Sequence, residues 1–358
     1  MEIKDSIEWM KKSKLAGFSE EISPALEKIF KDCLNATDEK IIIVSDKGSA
    51  NKQVASVLSY GYYLAGKNLG LDIDFVLQNK KTRGDKAEEH IVERLSDTPN
   101  NSIIIAIMSD KLGSLKHIGK SFRRFCQRKN HRFVSTASIG YISTEKIKDM
   151  IEAIDIDYKK FSAAHYRLKR VLDKGKELHV STVAGTDAYF DISNIKSLCS
   201  DGIYTTPGTG GNLPAGEVFM APRKVDGKIV IDASSRNIMN TQLVKSPIIL
   251  TVEKGEVVDI KDGNAAKLLE KSLKWAEENA KYPNRVRQIG EIGIGLNPKA
   301  KIVGSTILDE KMLGTAHIAI GSNYWFGGPI RTIIHLDQVF RKPMFKLDGE
   351  SLNVNCEL

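Results

Sequence analysis

Ile103-Ile104-Ile105-Ala106-Ile107 is an unbroken apolar run, with no polar residue on either face of an extended chain. A strand that alternates is half-buried; one that does not alternate is covered on both sides, as in a parallel sheet. Reading outward, Ile41-Ile42-Ile43-Val44 and Ile73-Asp74-Phe75-Val76-Leu77 have the same character, and Arg132-Phe133-Val134-Ser135 is a weaker instance. Helical segments over roughly 51–69, 86–95 and 117–129 separate them. This alternation predicts a parallel sheet with helices on its faces. A longer helical stretch, about 144–175, carries Ile147, Ile151 and Ile154 near a 3.6-residue spacing and leads toward a second domain.

Composition changes there. Residues 1–180 hold 2 of the 10 prolines and 10 of the 28 glycines, and the remainder fall in 181–358. Turn-rich β structure uses both residues and helices avoid them. Strand candidates in this half are Val180-Ser181-Thr182-Val183, Ala188-Tyr189-Phe190-Asp191-Ile192, Lys228-Ile229-Val230-Ile231 and Ile248-Ile249-Leu250-Thr251-Val252. Asp226-Gly227 and Asp262-Gly263 are turn signals, and one helix, about 265–279, stands alone. The expected boundary lies near Gly175–His179. The fold class expected is an α/β N-terminal domain with a parallel sheet (1–176), followed by a β-rich α+β metal-binding domain (177–358).

With 358 residues, 41% apolar and 27% charged, the chain can bury a substantial core. No apolar run reaches the ~18–20 residues of a membrane span, and Met1-Glu2-Ile3-Lys4-Asp5 does not open a secretory signal. Cys33, Cys126, Cys199 and Cys356 form no Cys-x-x-Cys pair, which points to a reducing, cytoplasmic setting. Gly113-Ser114-Leu115-Lys116-His117-Ile118-Gly119-Lys120-Ser121 resembles a phosphate loop, but five residues separate its glycines where the loop needs four. Lys111, Lys116, Lys120, Arg123, Arg124, Arg128, Lys129 and Arg132 form a basic run with few aromatics between them. It reads as a solvated face or subunit contact, and nucleic acid is not the expected partner. His90, His117, His131, His165 and His179 are scattered and read as structural or surface residues.

The stronger polar signals lie in short strand-like contexts of the second half: Glu217, Glu291, His317, His335 and Asp337. Residues i and i+2 of a strand share a face, so His335 and Asp337 belong together beside Ile333 and Val339. A carboxylate among apolar neighbours is costly unless paired or metal-bound. Glu291 shares its face with Gly293 and Gly295, and His317 with Ala319, so small residues leave room beside the polar groups. Three carboxylates and two imidazoles without a thiolate suit two divalent ions of the zinc, cobalt or manganese type.

These segments resemble the thermophilic aminopeptidase family of metallopeptidases, which includes aminopeptidases T and S. The carriers are Gly211-Asn212-Leu213-Pro214-Ala215-Gly216-Glu217-Val218-Phe219, Gly290-Glu291, His317 with Tyr324 seven residues later, and His335-Leu336-Asp337, with Gly185-Thr186-Asp187 upstream. The resemblance spans about 177–340. It implies a two-metal aminopeptidase acting on peptides with a free N-terminus, and a homodimer. The metals would be held by Glu217, Glu291, His317, His335 and Asp337, with Glu291 bridging and Tyr324 hydrogen-bonding the oxyanion. His317 and His335 are closer in sequence than is usual there. A short branch of the same superfamily resembles 2,5-dihydroxypyridine dioxygenase, which uses one ferrous ion held by histidine and aspartate, and that is the alternative.

Overall fold

The computed structural model describes residues 3–119 and 121–354. Lys120 of the basic run and Cys356 lie outside the described residues. The chain divides into two compact units, Met1–Lys159 with Gly202–Ala215, and Lys160–Asp201 with Gly216–Leu358.

The first unit is built on a parallel sheet. Its order is Ile73–Gln78, Ile41–Asp46, Ile103–Ile107, Arg132–Thr136 and Gly210–Asn212. The expected runs are strands because both faces are covered: every residue of Ile41–Asp46 and Ile103–Ile107 is buried. Helices Val54–Asn68, Glu89–Asp97 and Phe122–Arg128 separate the strands. Helix Ala16–Lys28 packs on Val54–Asn68 at Gly61, where a Cβ would stand 2.9 Å from Ile22 Cγ1. The expected 144–175 helix is interrupted: Ile147–Ile154 ends before Tyr158–Leu172 begins. Asp155 and Asp157 occupy the break, and aspartate is a poor residue for a helix interior.

The second unit holds two seven-stranded sheets, each antiparallel throughout. One runs Glu256–Lys261, Ile248–Glu253, Lys224–Ile231, Asp187–Asp191, Glu177–Ser181, Met344–Leu347 and Glu350–Leu352. The other runs Thr241–Leu243, Ser234–Arg236, His335–Arg341, Thr315–Gly321, Ile289–Gly295, Glu217–Met220 and Leu198–Ser200. One hydrophobic core joins them: Val180, Phe190 and Leu250 from the first sheet meet Ile292, Ile318 and Leu336 from the second, with Leu269 and Leu273 of helix Gly263–Asn279. The architecture is therefore an α/β unit with a parallel sheet followed by a larger β-rich α+β unit. No helix among the described residues is long and apolar enough to cross a membrane.

Candidate metal centre

Strand register alone gathers the five expected residues. Glu217 pairs with Gly295, Gly293 with His317, Glu291 with Ala319, Ala319 with Asp337, and Gly321 with His335. Directly opposed residues of an antiparallel pair project to the same side. Glu217, Glu291, His317, His335 and Asp337 therefore share one face of the sheet, while Val218, Ile292, Ile294, Ile318, Ile320 and Leu336 fill the core beneath the other. The small residues between them have a definite use. A Cβ on Gly293 would lie 2.1 Å from His317 Cε1, so the imidazole lies over the bare backbone of the neighbouring strand.

Glu291 sits between the two imidazoles. His317 Nε2 is 3.2 Å from its Oε1, and His335 Nε2 is 3.4 Å from its Oε2. His335 Nε2 also lies 3.1 Å from Asp337 Oδ1. His335 Nδ1 is 2.8 Å from the Ser322 carbonyl, which can only accept, so Nδ1 carries a proton and Nε2 faces the carboxylates. Trp325 packs edge-on against the His335 ring, with centroids 4.7 Å apart.

Two further residues enter that sequence reasoning did not single out. Glu310 and Lys311 follow the short helix Thr306–Asp309, and Lys311 is 1% exposed. Its ammonium contacts Glu217 Oε1 and lies 2.5 Å from Glu310 Oε1. Asp309-Glu310-Lys311 reads in sequence as a solvated charge run; the nearest signal of burial is the apolar pair Ile307-Leu308 just before it.

The electrostatics are those of a cation site. Burial lowers the pKa of His317, but the hydrogen bond with Glu291 and the charges of Glu217 and Glu310 outweigh it and push the group up to about 9. Burial likewise opposes charge on His335, and Asp337 and Glu291 raise it to about 10. Burial would raise Asp337, but His335, His317 and Arg236 bring it down to about 2. Burial pushes Glu217 and Glu310 upward, against the pull of Lys311.

Two overlapping clusters can hold a metal ion: Glu217, Glu291 and His317, and Glu310, His317 and Asp337, the donor atoms of each lying within 4.8 Å of one another. Glu217 Oε2 and His317 Nδ1 are buried without a hydrogen-bond partner, an expensive state that a bound cation relieves at the carboxylate. Oxygen and imidazole donors without a thiolate fit a divalent transition metal.

The remaining expectations are distributed elsewhere. Tyr324 is 44% exposed, and the Arg331 guanidinium lies 3.4 Å from its ring centroid. Asp187 of Gly185-Thr186-Asp187 is in the other antiparallel sheet, 2.7 Å from His179 Nε2. Much of the basic run is used within the fold: Arg132 is buried and paired with Glu39, Lys116 meets Glu89, and Arg128 donates to the Ile118 carbonyl. Cys33, Cys126 and Cys199 form no disulfide.

A model of the family NicX: 2,5-dihydroxypyridine 5,6-dioxygenase matches residues 21–358. The chain belongs to that family. A curated 2,5-dihydroxypyridine 5,6-dioxygenase of Pseudomonas putida (strain KT2440) is 25% identical over 193 residues, which are 51% of this chain and 54% of that protein. The match thus spans about half the length of that relative. Two solved structures share the fold at 17% identity, each over 94% of this chain and 97% of theirs: 2,5-dihydroxypyridine dioxygenase from Pseudomonas putida KT2440, TM-score 0.70, and wild-type AmpT from Thermus thermophilus, TM-score 0.62.

NicX membership corrects the expectation of a thermophilic aminopeptidase. The metallo-aminopeptidase activity, the hydrolase class and the peptide substrate with a free N-terminus go with it. That expectation rested on motifs within about 177–340, whereas the family match runs through both units. A shared fold and a set of acids and imidazoles do not by themselves select hydrolysis over oxygenation. The oxyanion role expected of Tyr324 was framed for peptide hydrolysis.

Proposed function

We propose that this chain is a ferrous-iron dioxygenase that opens a dihydroxylated, electron-rich aromatic ring of the 2,5-dihydroxypyridine type. NicX family membership supports the chemistry. The single structural observation that carries it is the placement of His317 and His335, each with Nε2 on a different oxygen of Glu291. Two imidazoles and a carboxylate with open positions are the donor pattern of non-haem ferrous oxygenases. His317, His335, Glu291 and Asp337 would hold one ferrous ion, in place of the two zinc, cobalt or manganese ions expected above. That ion supplies the redox chemistry by which dioxygen is added to the ring.

The chain's own residues do the rest. The hydrogen bond from His335 Nδ1 to the Ser322 carbonyl fixes that ring's tautomer and plane. Trp325, 56% exposed and packed on His335, offers a flat apolar surface beside the metal ligands, suited to orienting an aromatic ring and shielding it from water. Asp337 Oδ1 lies 3.1 Å from His335 Nε2, close enough for both to turn to one ion. Cys33, Cys126 and Cys199 form no disulfide, which suits a reducing cytoplasm.

The test is anaerobic loading with ferrous iron, followed by measurement of dioxygen uptake with 2,5-dihydroxypyridine and with other dihydroxylated rings. Stoichiometric uptake with loss of the ring's absorbance is expected, and should vanish in His335→Ala. Absence of uptake across the panel by iron-loaded, folded protein would sink the assignment.

A further inference from the structure

Lys311 is the one buried lysine among the described residues. Among the largest side chains below 2% exposure it stands with Tyr62, Tyr158, Phe30 and Phe161. A lone ammonium at such a position would be prohibitively costly, and here it is paired twice, to Glu217 and to Glu310. Its backbone is fixed from both directions: the Asn297 N–H donates to the Lys311 carbonyl at 2.7 Å, and the Lys311 N–H donates to the Leu308 carbonyl at 3.1 Å.

Its partners are the informative part. The two candidate metal clusters share His317 but differ in their carboxylates. Glu217 belongs to one and Glu310 to the other, and the ammonium engages both. Removing those two carboxylates leaves Glu291, His317 and Asp337, with His335 lying between Glu291 and Asp337. We infer that the Lys311 ammonium is a built-in cation that occupies the second metal position, so that a cluster rich enough in donors for two ions holds one. This rests on the reading of the site as a one-iron centre and adds the residue that sets the count. A dication placed between Glu217 and Glu310 would meet a buried like charge at hydrogen-bonding range, where a low-dielectric interior screens it poorly.

The experiment counts ions. Chelator-stripped full-length protein is titrated anaerobically with cobalt(II) and separately with ferrous iron, and bound metal per folded chain is measured by elemental analysis and native mass spectrometry. The wild type should take one equivalent. Lys311→Met and Lys311→Gln, which remove the charge, should take a second equivalent or bind it at least ten-fold more tightly than wild type, while Lys311→Arg stays at one. Two equivalents in the wild type, or one equivalent with unaltered affinities in both neutral variants, would overturn the inference. Should the neutral variants fail to fold, anomalous diffraction from cobalt-loaded wild type decides it. A single peak at His317, His335, Glu291 and Asp337 supports the inference, and a peak between Glu217 and Glu310 overturns it. Metal count and dioxygen uptake are separate readouts. One bound ion without ring cleavage would fault the dioxygenase reading and leave the role of Lys311 standing.

Discussion

Gly293 shows how little a metal ligand needs and how strictly it needs it. The His317 ring occupies the space above the Gly293 Cα, and even a methyl group there would meet it at 2.1 Å from Cε1 and 2.4 Å from Nε2. Backbone strain is not the reason for glycine here; the imidazole's volume is. Gly293→Ala should therefore displace His317 and lower the affinity for ferrous iron by at least ten-fold, as read by equilibrium dialysis, with far-UV circular dichroism unchanged. Tight binding in that variant would mean His317 is not a ligand. Asp337→Asn tests a different part of the site. It keeps the side chain's volume but removes the charge beside His335. Reduced iron occupancy is expected, with activity lost in proportion; full occupancy would remove Asp337 from the ligand set.

At the scale of elements, two buried histidines that are not candidate ligands set a pH limit. Burial lowers His131, just before strand Arg132–Thr136, to about 4, and does the same to His165 in helix Tyr158–Leu172. The unfolded value is near 6.5. Below pH 6.5 the unfolded chain gains protons that the folded chain refuses, so stability falls with pH until about 4. The slope is at most about 1.4 kcal/mol per pH unit for each histidine. Wild type should accordingly lose urea midpoint relative to His165→Leu between pH 7 and 5; a constant difference would show that His165 titrates normally. Elements were legible in the sequence where burial is two-sided or strictly alternating. Ile103–Ile107 declares itself by composition, and His335-Leu336-Asp337 by its period of two. Strand Gly210–Asn212, which completes the parallel sheet through Phe133 and Val134, is Gly-Gly-Asn and carries no pattern of its own. Glu310 and Lys311 were illegible for the opposite reason. Adjacent opposite charges normally face water, and only the tertiary placement of Glu217 makes their burial tolerable.

For the whole molecule, the location of the polar cluster decides where metal binding is felt. Every candidate ligand belongs to the second unit, and all but Glu310 lie on a sheet whose other face is hydrophobic core. Four carboxylates, Glu217, Glu291, Glu310 and Asp337, formally face one ammonium and two titratable imidazoles. A dication thus relieves repulsion that the folded second unit bears and the unfolded chain does not. Binding to the folded form alone stabilises it by about 2.7 kcal/mol when the free ion is at one hundred times Kd. Ferrous iron added under anaerobic conditions should slow amide exchange across Ile289–Gly295, Thr315–Gly321 and His335–Arg341. Strands Ile41–Asp46 and Ile103–Ile107 of the first unit contain no candidate ligand, so their exchange should change far less. A chelator should reverse the effect, because it acts through occupancy and not through folding history. Equal protection of both parallel and antiparallel sheets would place the stabilising ion elsewhere, and no protection at all would mean that the donors gathered on this sheet do not bind iron.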